Sequence, residues 1–274
     1  MIAKICAGRT SRPWRLDPLL GADVADTGQK GERNVVEHDT GDVELTGRDR
    51  ATLRITRAIA ELDIAVDGLR IRLTETGGRV VAQVNARAAR RPIRVQVAAA
   101  TFDQATDDLA GRLTGRILEA AACWSPRPWP NGDMSVPSRV PPGERALGPG
   151  LLTRIKPVPL AACPPEVAVS VMDLMDYPVH AFIDADTGLD AIVYRAGPAG
   201  YRLARLRPAP PPAPNVIPLT ADPLPPPTVT PEQAITRLED TGLGYLFFIG
   251  PDTGRGQLLY RRFDSRYGLL HGAR

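Results

Sequence analysis

The sequence predicts an α+β fold made of an N-terminal β-α-β-β-β-α domain followed by two small α+β modules in tandem. Three observations lead to this prediction. Apolar and polar residues alternate over three runs between positions 69 and 97, amphipathic helical patterns flank these runs, and the C-terminal part contains one segment twice. A chain of 274 residues is long enough for two or three domains of ordinary size.

The first domain is predicted at residues 33–124, after a flexible tail at residues 1–32 in which Gly, Asp and Arg occur without a period. A short β run at residues 34–38 begins the domain. An amphipathic helix then follows Thr46. The side of this helix opposite its apolar residues carries a row of three arginines: Arg50, Arg54 and Arg57.

Three alternating runs follow at residues 69–74, 80–87 and 93–97, and each predicts a strand with one apolar and one polar face. The polar positions of these runs include Arg70, Arg72, Arg87 and Arg94. A second helix begins after Thr101, which forms a capping-box pattern with Gln104. Two further arginines on this helix are Arg112 and Arg116. We expect a four-stranded sheet whose apolar face is covered by the two helices.

Two proline-rich segments, residues 125–160 and 207–230, are predicted to be semi-extended linkers. They separate the two modules at residues 161–206 and 231–274. These modules, here named copy 1 and copy 2, align without gaps at an offset of 66 residues. Each begins with a helix after a proline and continues with three β runs, the first two of which are joined by D-T-G.

The D-T-G triplets allow two interpretations. As hairpin turns, they supply the residues with positive φ, Gly188 and Gly254, and Asp side chains that bond the turn backbone. Paired D-T-G triplets also hold the catalytic carboxylates of aspartic peptidases. The flanking residues and the short repeat favour turns, and a hydrolase that uses Asp186 and Asp252 remains the alternative function.

The composition of the chain excludes several kinds of site and location. The net charge is only +3, so a basic surface must be confined to one face. The three cysteines and three histidines show neither a disulfide framework nor a metal-ligand spacing, and we expect no metal or other cofactor. No apolar run has the length of a membrane span, and the first residues lack the apolar stretch of a secretory signal. We therefore expect a cytoplasmic protein without membrane contacts.

The segment FIDADTGLDAIVYRAGPAGYRL, residues 182–203, together with the element order of the first domain and the proline-rich linker, resembles the long-form ribosome hibernation-promoting factors, also called the sigma-54 modulation family. The second C-terminal module and the arginine-containing linker resemble the dormancy-associated translation inhibitor branch of that family. The resemblance implies an N-terminal domain that binds the small (30S) ribosomal subunit in the channel of messenger and transfer RNA. It also implies inhibition of translation, preservation of inactive 70S ribosomes under stress, and no catalysis.

With this resemblance, the arginines become predicted contacts to 16S ribosomal RNA, because guanidinium groups bind phosphate bidentately and keep their charge. The predicted set is Arg50, Arg54, Arg57, Arg70, Arg72, Arg87, Arg94, Arg112 and Arg116. In the family, a single C-terminal module pairs with the module of a second factor. Because this chain carries two modules, we predict that they pair within the chain. The aromatic residues predicted to support this pairing are Phe182, Tyr194, Phe248 and Tyr260.

Overall fold

The structure is a computed structural model that describes residues 45–76, 78–122, 125, 151–196, 200–212, 217–262 and 266–273. The chain divides into two compact units. The first contains the helices and strands up to residue 125, and the second contains copy 1 and copy 2. The fold is mixed α+β, as the sequence predicts.

The first unit consists of helix α1 (Leu45–Ala60), strands β1 (Val66–Thr76), β2 (Arg79–Ala88) and β3 (Arg91–Ala99), and helix α2 (Phe102–Ala121). The three strands form one antiparallel sheet in the order β1-β2-β3. Ala89 and Arg90 connect β2 to β3 with positive φ angles of 48° and 65°, as a type I′ hairpin turn requires. At the start of α2, the Thr101 side chain accepts a hydrogen bond from the Gln104 amide.

Both helices of the first unit pack on the same face of the sheet. The buried cluster contains residues of α1, residues of α2 and every second residue of each strand. Representative members are Ile55, Leu109, Leu113, Ile71, Val84 and Val95. The predicted two-helix layer over a sheet is therefore present. The predicted fourth strand, at residues 34–38, lies outside the described residues.

The second unit contains two helix-plus-sheet segments that follow the sequence repeat. Copy 1 has α3 (Pro165–Leu174), β6 (Val179–Asp184), β7 (Asp190–Ala196) and β8 (Gly200–Arg205), preceded by the short strand β5 (Ala162–Cys163). Copy 2 has α4 (Pro231–Thr241), β10 (Tyr245–Ile249), β11 (Gly256–Arg261) and β12 (Tyr267–Gly272). In each copy, the last three strands pair antiparallel in chain order.

Two further strands lie in segments for which the sequence predicts only linkers. Strand β4 (Leu152–Val158) precedes copy 1 in the chain but pairs in parallel with β12 of copy 2. Strand β9 (Leu219–Ala221) precedes copy 2 but pairs in parallel with β8 of copy 1. The pairings are equivalent, because Leu269 faces Ile155 and Leu203 faces Ala221, pairs that are related by the same 66-residue offset. Each copy thus receives the strand that precedes the other copy.

This strand exchange corrects the expectation that residues 125–160 and 207–230 act only as spacers. Pro157 in β4 is tolerated because β4 is the last strand in the order β10-β11-β12-β4. No helix among the described residues combines the length and the apolar character needed to cross a membrane.

Candidate functional site

The face of the first unit's sheet that lies opposite the helices is polar and basic. The strand register aligns its side chains in rows across the three strands. One row contains Arg70, Asn85 and Arg94, and the next contains Arg72, Gln83 and Gln96. Arg87 lies beyond the first row, opposite Asp67. The structure thus brings four of the predicted arginines, Arg70, Arg72, Arg87 and Arg94, to one face, here named the basic sheet face.

Neutral hydrogen-bonding groups separate these arginines. Arg70 and Arg87 are exposed, and Arg72 and Arg94 are half-buried. The Arg94 guanidinium donates to Gln83 Oε1 at 3.3 Å and also contacts Gln96. The two central rows thus combine arginine side chains with the hydrogen-bonding capacity of amide side chains. A surface of this kind suits a phosphate backbone, which guanidinium groups bind in a bidentate manner.

The two α2 arginines occupy different environments. Arg112 is exposed and donates to the Gln96 carbonyl oxygen at 3.0 Å, which places it along the β3 edge of the basic sheet face. Arg116 is only 5% exposed, and its guanidinium forms an ion pair with Glu119 at 2.6 Å. A buried, paired guanidinium is not available for a surface contact, so Arg116 belongs to the interior of the unit in this structure.

The α1 arginines lie on the opposite side of the unit, since α1 covers the apolar face of the sheet. Arg54 forms an ion pair with Asp107 of α2 at 2.5 Å, and Arg57 forms one with Glu61 at 3.7 Å. These residues and Arg50 are exposed. The nine predicted arginines therefore do not form one surface: the sheet arginines and Arg112 adjoin each other, and the α1 arginines are separate.

A second candidate surface joins copy 1 and copy 2. One buried cluster contains residues of both copies: Val179, Ile192, Ala204 and Leu206 from copy 1, and Phe247 and Leu258 from copy 2. These residues belong to the sheet faces that point away from α3 and α4, because their neighbours in sequence form the cores beneath the helices. The two sheets thus share an apolar layer, here named the module interface.

Tyrosines mark one end of the module interface. The rings of Tyr194 and Tyr245, one from each copy, make an edge-to-face contact with centroids 6.2 Å apart. The Tyr194 hydroxyl donates to Asp222 at 2.7 Å, and Arg202 donates to the same carboxylate at 3.1 Å. Burial raises the pKa of the Tyr194 hydroxyl, and the hydrogen bond to Asp222 raises it further. Asp222 directly follows β9, so this contact also holds the exchanged strand on copy 1.

The four aromatic residues predicted to support pairing occupy different places. Tyr194 lies at the module interface, and its equivalent Tyr260 packs its ring against Gly268. Phe182 and Phe248 are fully buried, and Phe248 packs beneath α4 in the core of copy 2. Neither phenylalanine belongs to the apolar cluster of the module interface in this structure. Both faces of these sheets are apolar, so the sequence pattern does not tell the two faces apart.

Three contact residues of the module interface are absent from the predicted set. Asp190 of copy 1 contacts Arg255 and Gly256 of copy 2 through hydrogen bonds of 2.6 to 2.9 Å. One feature of the sequence does point to these residues. Asp190 and Gly256 occupy equivalent positions of the repeat and have diverged, which indicates that the two copies meet different surroundings there.

The arginine and tyrosine that recur in both copies of the repeat have structural roles inside each copy. In copy 1, Arg195 and the Tyr201 hydroxyl both bind the buried Asp173, at 2.9 and 2.5 Å. The Arg195 guanidinium lies over the Tyr201 ring, 5.3 Å from its centroid. In copy 2, Arg261 and Tyr267 repeat this arrangement at 5.5 Å. In each copy, this arginine and tyrosine hold the second and third of the antiparallel strands to each other.

The D-T-G triplets form turns in the structure. Gly188 and Gly254 have positive φ angles of 68° and 62°, and their amides donate to Asp184 and Gly250. The Asp184 side chain, rather than Asp186, bonds the first turn by accepting from the Asp186 amide at 3.1 Å. Asp186 and Asp252 are exposed. This environment differs from the buried, shared-proton setting that an aspartic dyad needs.

Comparison with known proteins agrees with the repeat motifs. The family model described as Sigma 54 modulation/S30EA ribosomal protein C terminus matches residues 149–203, which begin just before β4 and end within β8. Two proteins named dormancy associated translation inhibitor, from the CDC 1551 / Oshkosh and ATCC 25618 / H37Rv strains of Mycobacterium tuberculosis, are each 39% identical over 243 residues. These alignments cover 84% of this chain and 85% of each relative.

Among solved structures, the N-terminal domain of Thermus thermophilus Protein Y matches 29% of this chain and 88% of its own, with 18% identity and a TM-score of 0.26. The similarity to the two Mycobacterium tuberculosis proteins extends over most of both chains. The chain therefore belongs to the family of dormancy-associated translation inhibitors.

Proposed function

We propose that this protein is a ribosome hibernation factor that inhibits translation by binding the small ribosomal subunit. Its first unit contacts 16S ribosomal RNA in the channel of messenger and transfer RNA, and the bound 70S ribosome is preserved in an inactive state. The proposal combines the family membership with one structural observation, the basic sheet face. No catalytic step is part of it.

The basic sheet face supports RNA binding better than the α1 arginines do. A flat surface with Arg70, Arg72 and Arg94 in adjacent rows can meet several phosphates of a folded RNA at once, since structured RNA is bound largely through shape and backbone. The α1 arginines lie along a single helix on the other side of the unit and do not form such rows. Arg112 extends the basic sheet face along β3, and Arg87 extends it beyond the first row.

Charge reversal tests which surface binds. We expect the R70E/R72E/R94E variant to lose co-sedimentation with 30S subunits. The matched R50E/R54E/R57E variant reverses the same number of charges on the other side of the unit and should retain most of the binding. Each lost phosphate contact also lowers the slope of log affinity against log salt, so the sheet variant should lose about two units of that slope.

A conservative variant separates charge from folding. R70K/R72K/R94K keeps the positive charge but removes the bidentate geometry, and we expect it to bind with intermediate affinity. Circular dichroism of all variants checks that the first unit remains folded. Unchanged co-sedimentation and an unchanged salt slope for R70E/R72E/R94E would contradict the proposed binding face.

We further infer that copy 1 and copy 2 pair with each other within one chain. Three observations support this: the shared apolar cluster, the Tyr194–Tyr245 contact, and the exchange of β4 and β9 between the copies. The linker from Leu206 to Pro231, which joins the end of copy 1 to the start of α4, is short, so the effective concentration of one copy for the other reaches about the millimolar range. Intramolecular pairing then prevails over pairing between chains.

Pairing within the chain has a consequence for ribosomes. A factor whose own modules occupy each other's apolar face cannot use that face to join two ribosomes, so it preserves single 70S particles and does not form 100S pairs. Sucrose-gradient sedimentation of 70S ribosomes with excess full-length protein tests this. We expect a 70S peak alone, and a protein-dependent 100S peak would contradict the inference.

A further inference from the structure

The module interface contains one asymmetric polar contact, and the following inference rests on the proposed pairing of the two copies. The Asp190 carboxylate accepts hydrogen bonds from Arg255 Nε at 2.6 Å and from Arg255 Nη2 at 2.8 Å. It also accepts one from the Gly256 amide at 2.9 Å. Asp190 is only 4% exposed, so this contact compensates a nearly complete loss of hydration. We name Asp190, Arg255 and Gly256 the pairing triplet.

Members of the pairing triplet occupy equivalent positions of the repeat. At the 66-residue offset, Asp190 corresponds to Gly256, and Leu189 corresponds to Arg255. A residue of copy 1 therefore contacts its own equivalent in copy 2, as happens at the centre of a two-fold symmetric pair. The two residues thus occupy equivalent positions, although one is an aspartate and the other a glycine.

Gly256 is also needed for steric reasons. A Cβ atom added to Gly256 would lie 2.8 Å from Cε2 of Phe247 and 2.9 Å from Cβ of Asp190. Both distances are shorter than carbon atoms tolerate without displacement. The Phe247 ring thus fills the space over Gly256, whereas copy 1 has Ala181 at the position equivalent to Phe247.

We propose that the pairing triplet makes the module interface specific for one copy 1 and one copy 2. Pairing of two copy 1 modules would place two Asp190 carboxylates at the centre of the interface, with Leu189 where Arg255 stands. Two carboxylates at short distance in a buried site cannot both remain ionised. The pairing triplet thus disfavours the pairing of two copy 1 modules, because a buried carboxylate would have no cation beside it. It favours the pairing of copy 1 with copy 2, because Asp190 then forms an ion pair with Arg255.

Pairing of two copy 2 modules is disfavoured for a different reason. Glycine would face glycine, and each Arg255 would lack the Asp190 carboxylate that binds it. Each Gly256 amide would also lack its acceptor, which leaves a buried donor unsatisfied. A second chain can therefore join this interface only by presenting its copy 1 to copy 2, or its copy 2 to copy 1.

Exchanging residues between the copies in the full-length protein tests the proposal. The half-exchanged variant, F247A/R255L/G256D, gives copy 2 the residues of copy 1. The fully exchanged variant adds A181F/L189R/D190G, so that the whole set is present but belongs to the opposite copies. Nuclear Overhauser effects between the Tyr194 and Tyr245 rings report pairing, since neither residue is changed and the rings are 6.2 Å apart.

We expect the Tyr194–Tyr245 effect to be present in the wild type, lost in the half-exchanged variant and restored in the fully exchanged variant. Effects among Leu238, Phe248 and Leu259 show whether copy 2 itself stays folded. Loss in both variants, or retention in both, would overturn the proposal. Absence of the Tyr194–Tyr245 effect in the wild type would instead contradict the pairing of the copies.

A second pair of variants tests the proposal if the half-exchanged protein unfolds. R255L leaves Asp190 buried without a cation, and we expect it to lose the Tyr194–Tyr245 effect. D190N/R255L removes both charges and keeps a side-chain oxygen at position 190 that can accept from the Gly256 amide, so it should regain the effect, because replacing both partners of a buried pair costs less than removing one. Retention of the effect in R255L would overturn the proposal.

Discussion

Copy 1 and copy 2 share one arrangement of helix and strands but differ in what they bury. Copy 1 buries Asp184 and Arg205 as an ion pair at 2.6 Å, with side chains 0% and 5% exposed. Copy 2 has Gly250 and His271 at these positions. Copy 1 also buries His180 where copy 2 has Leu246. The same fold is thus built over a charged interior in one copy and over a largely neutral one in the other.

The residues that the copies share explain why this is possible. Each copy buries a phenylalanine of its first long strand, a tyrosine of its last strand and a leucine two residues later: Phe182, Tyr201 and Leu203 in copy 1, and Phe248, Tyr267 and Leu269 in copy 2. Apolar burial of these side chains stabilises both modules in the same way. The residues that differ between the copies can then take part in pairing or in contacts within one copy. The difference between the copies therefore shows at which positions the fold tolerates different residues.

The largest expected effect comes from breaking the buried ion pair of copy 1. R205A leaves the Asp184 carboxylate buried without a cation and removes a hydrogen bond to the Pro210 carbonyl oxygen of 2.6 Å. We expect a loss of about 3 to 5 kcal/mol in the free energy of unfolding. D184G/R205H, which installs the residues of copy 2, should cost less than half as much. Urea unfolding of the full-length variants measures both, and equal losses would show that copy 1 depends on these residues for another reason.

The next effect concerns acid stability. His180 is 5% exposed, and its Nε2 has no hydrogen-bond partner within the described part of the chain. This burial lowers the pKa of its imidazole from 6.5 to about 4. The unfolded chain binds a proton at His180 below about pH 6.5, whereas the folded copy does so only near pH 4. The contribution of neutral His180 is therefore complete above pH 6.5 and is lost as the pH falls toward 4, by up to about 3 kcal/mol.

H180L, which installs the residue of copy 2, is the matched control for this effect. The carboxylates of the protein titrate in both variants, so the difference between the two stability curves reports His180 alone. We expect the free energy of unfolding to fall more steeply in the wild type than in H180L between pH 6.5 and 4. Parallel curves over this range would contradict the burial of a neutral imidazole.

A smaller effect is expected where copy 2 has glycine and copy 1 has arginine. A Cβ atom at Gly268 would lie 2.4 Å from Cζ of Tyr260, so G268A forces the ring to move, at a cost of about 1 to 2 kcal/mol. The equivalent Arg202 of copy 1 is accommodated, and its side chain, 40% exposed, pairs with Asp222. R202A should cost less than about 1 kcal/mol. Thermal unfolding compares the two, and a G268A cost no greater than that of R202A would refute the steric argument.

The smallest effect concerns the start of the module helix. In copy 2, the Thr230 side chain accepts from the Gln233 amide at 3.3 Å, and the Thr230 amide donates to Gln233 Oε1 at 3.1 Å. Copy 1 has Pro164 in place of this threonine. T230A should lower the stability of copy 2 by about 1 kcal/mol, whereas T230S should retain the hydrogen bond and the stability. Equal melting temperatures for all three proteins would show that the cap does not stabilise α4.

The sequence by itself determined the local features of this protein. Alternation at residues 69–97 placed Arg70, Arg72 and Arg94 on the polar face of a sheet, because successive side chains of a strand point to opposite faces. The D-T-G triplets predicted the turns at Gly188 and Gly254, since a tight turn needs a residue with positive φ. The gapless repeat predicted two similar modules. These features depend on residues close together in the chain, so a local pattern is sufficient to reveal them.

Only the tertiary structure decided which surfaces meet. Ile192 and Val193 are both buried, one at the module interface and one in the core of copy 1, and adjacent apolar residues in a strand do not say which face meets the helix. The pairing of β4 with β12 joins residues more than a hundred positions apart, so no local pattern predicts it. The burial of Arg116 likewise depends on packing, because a helical period alone places an arginine at the boundary of a core without showing how deeply it lies.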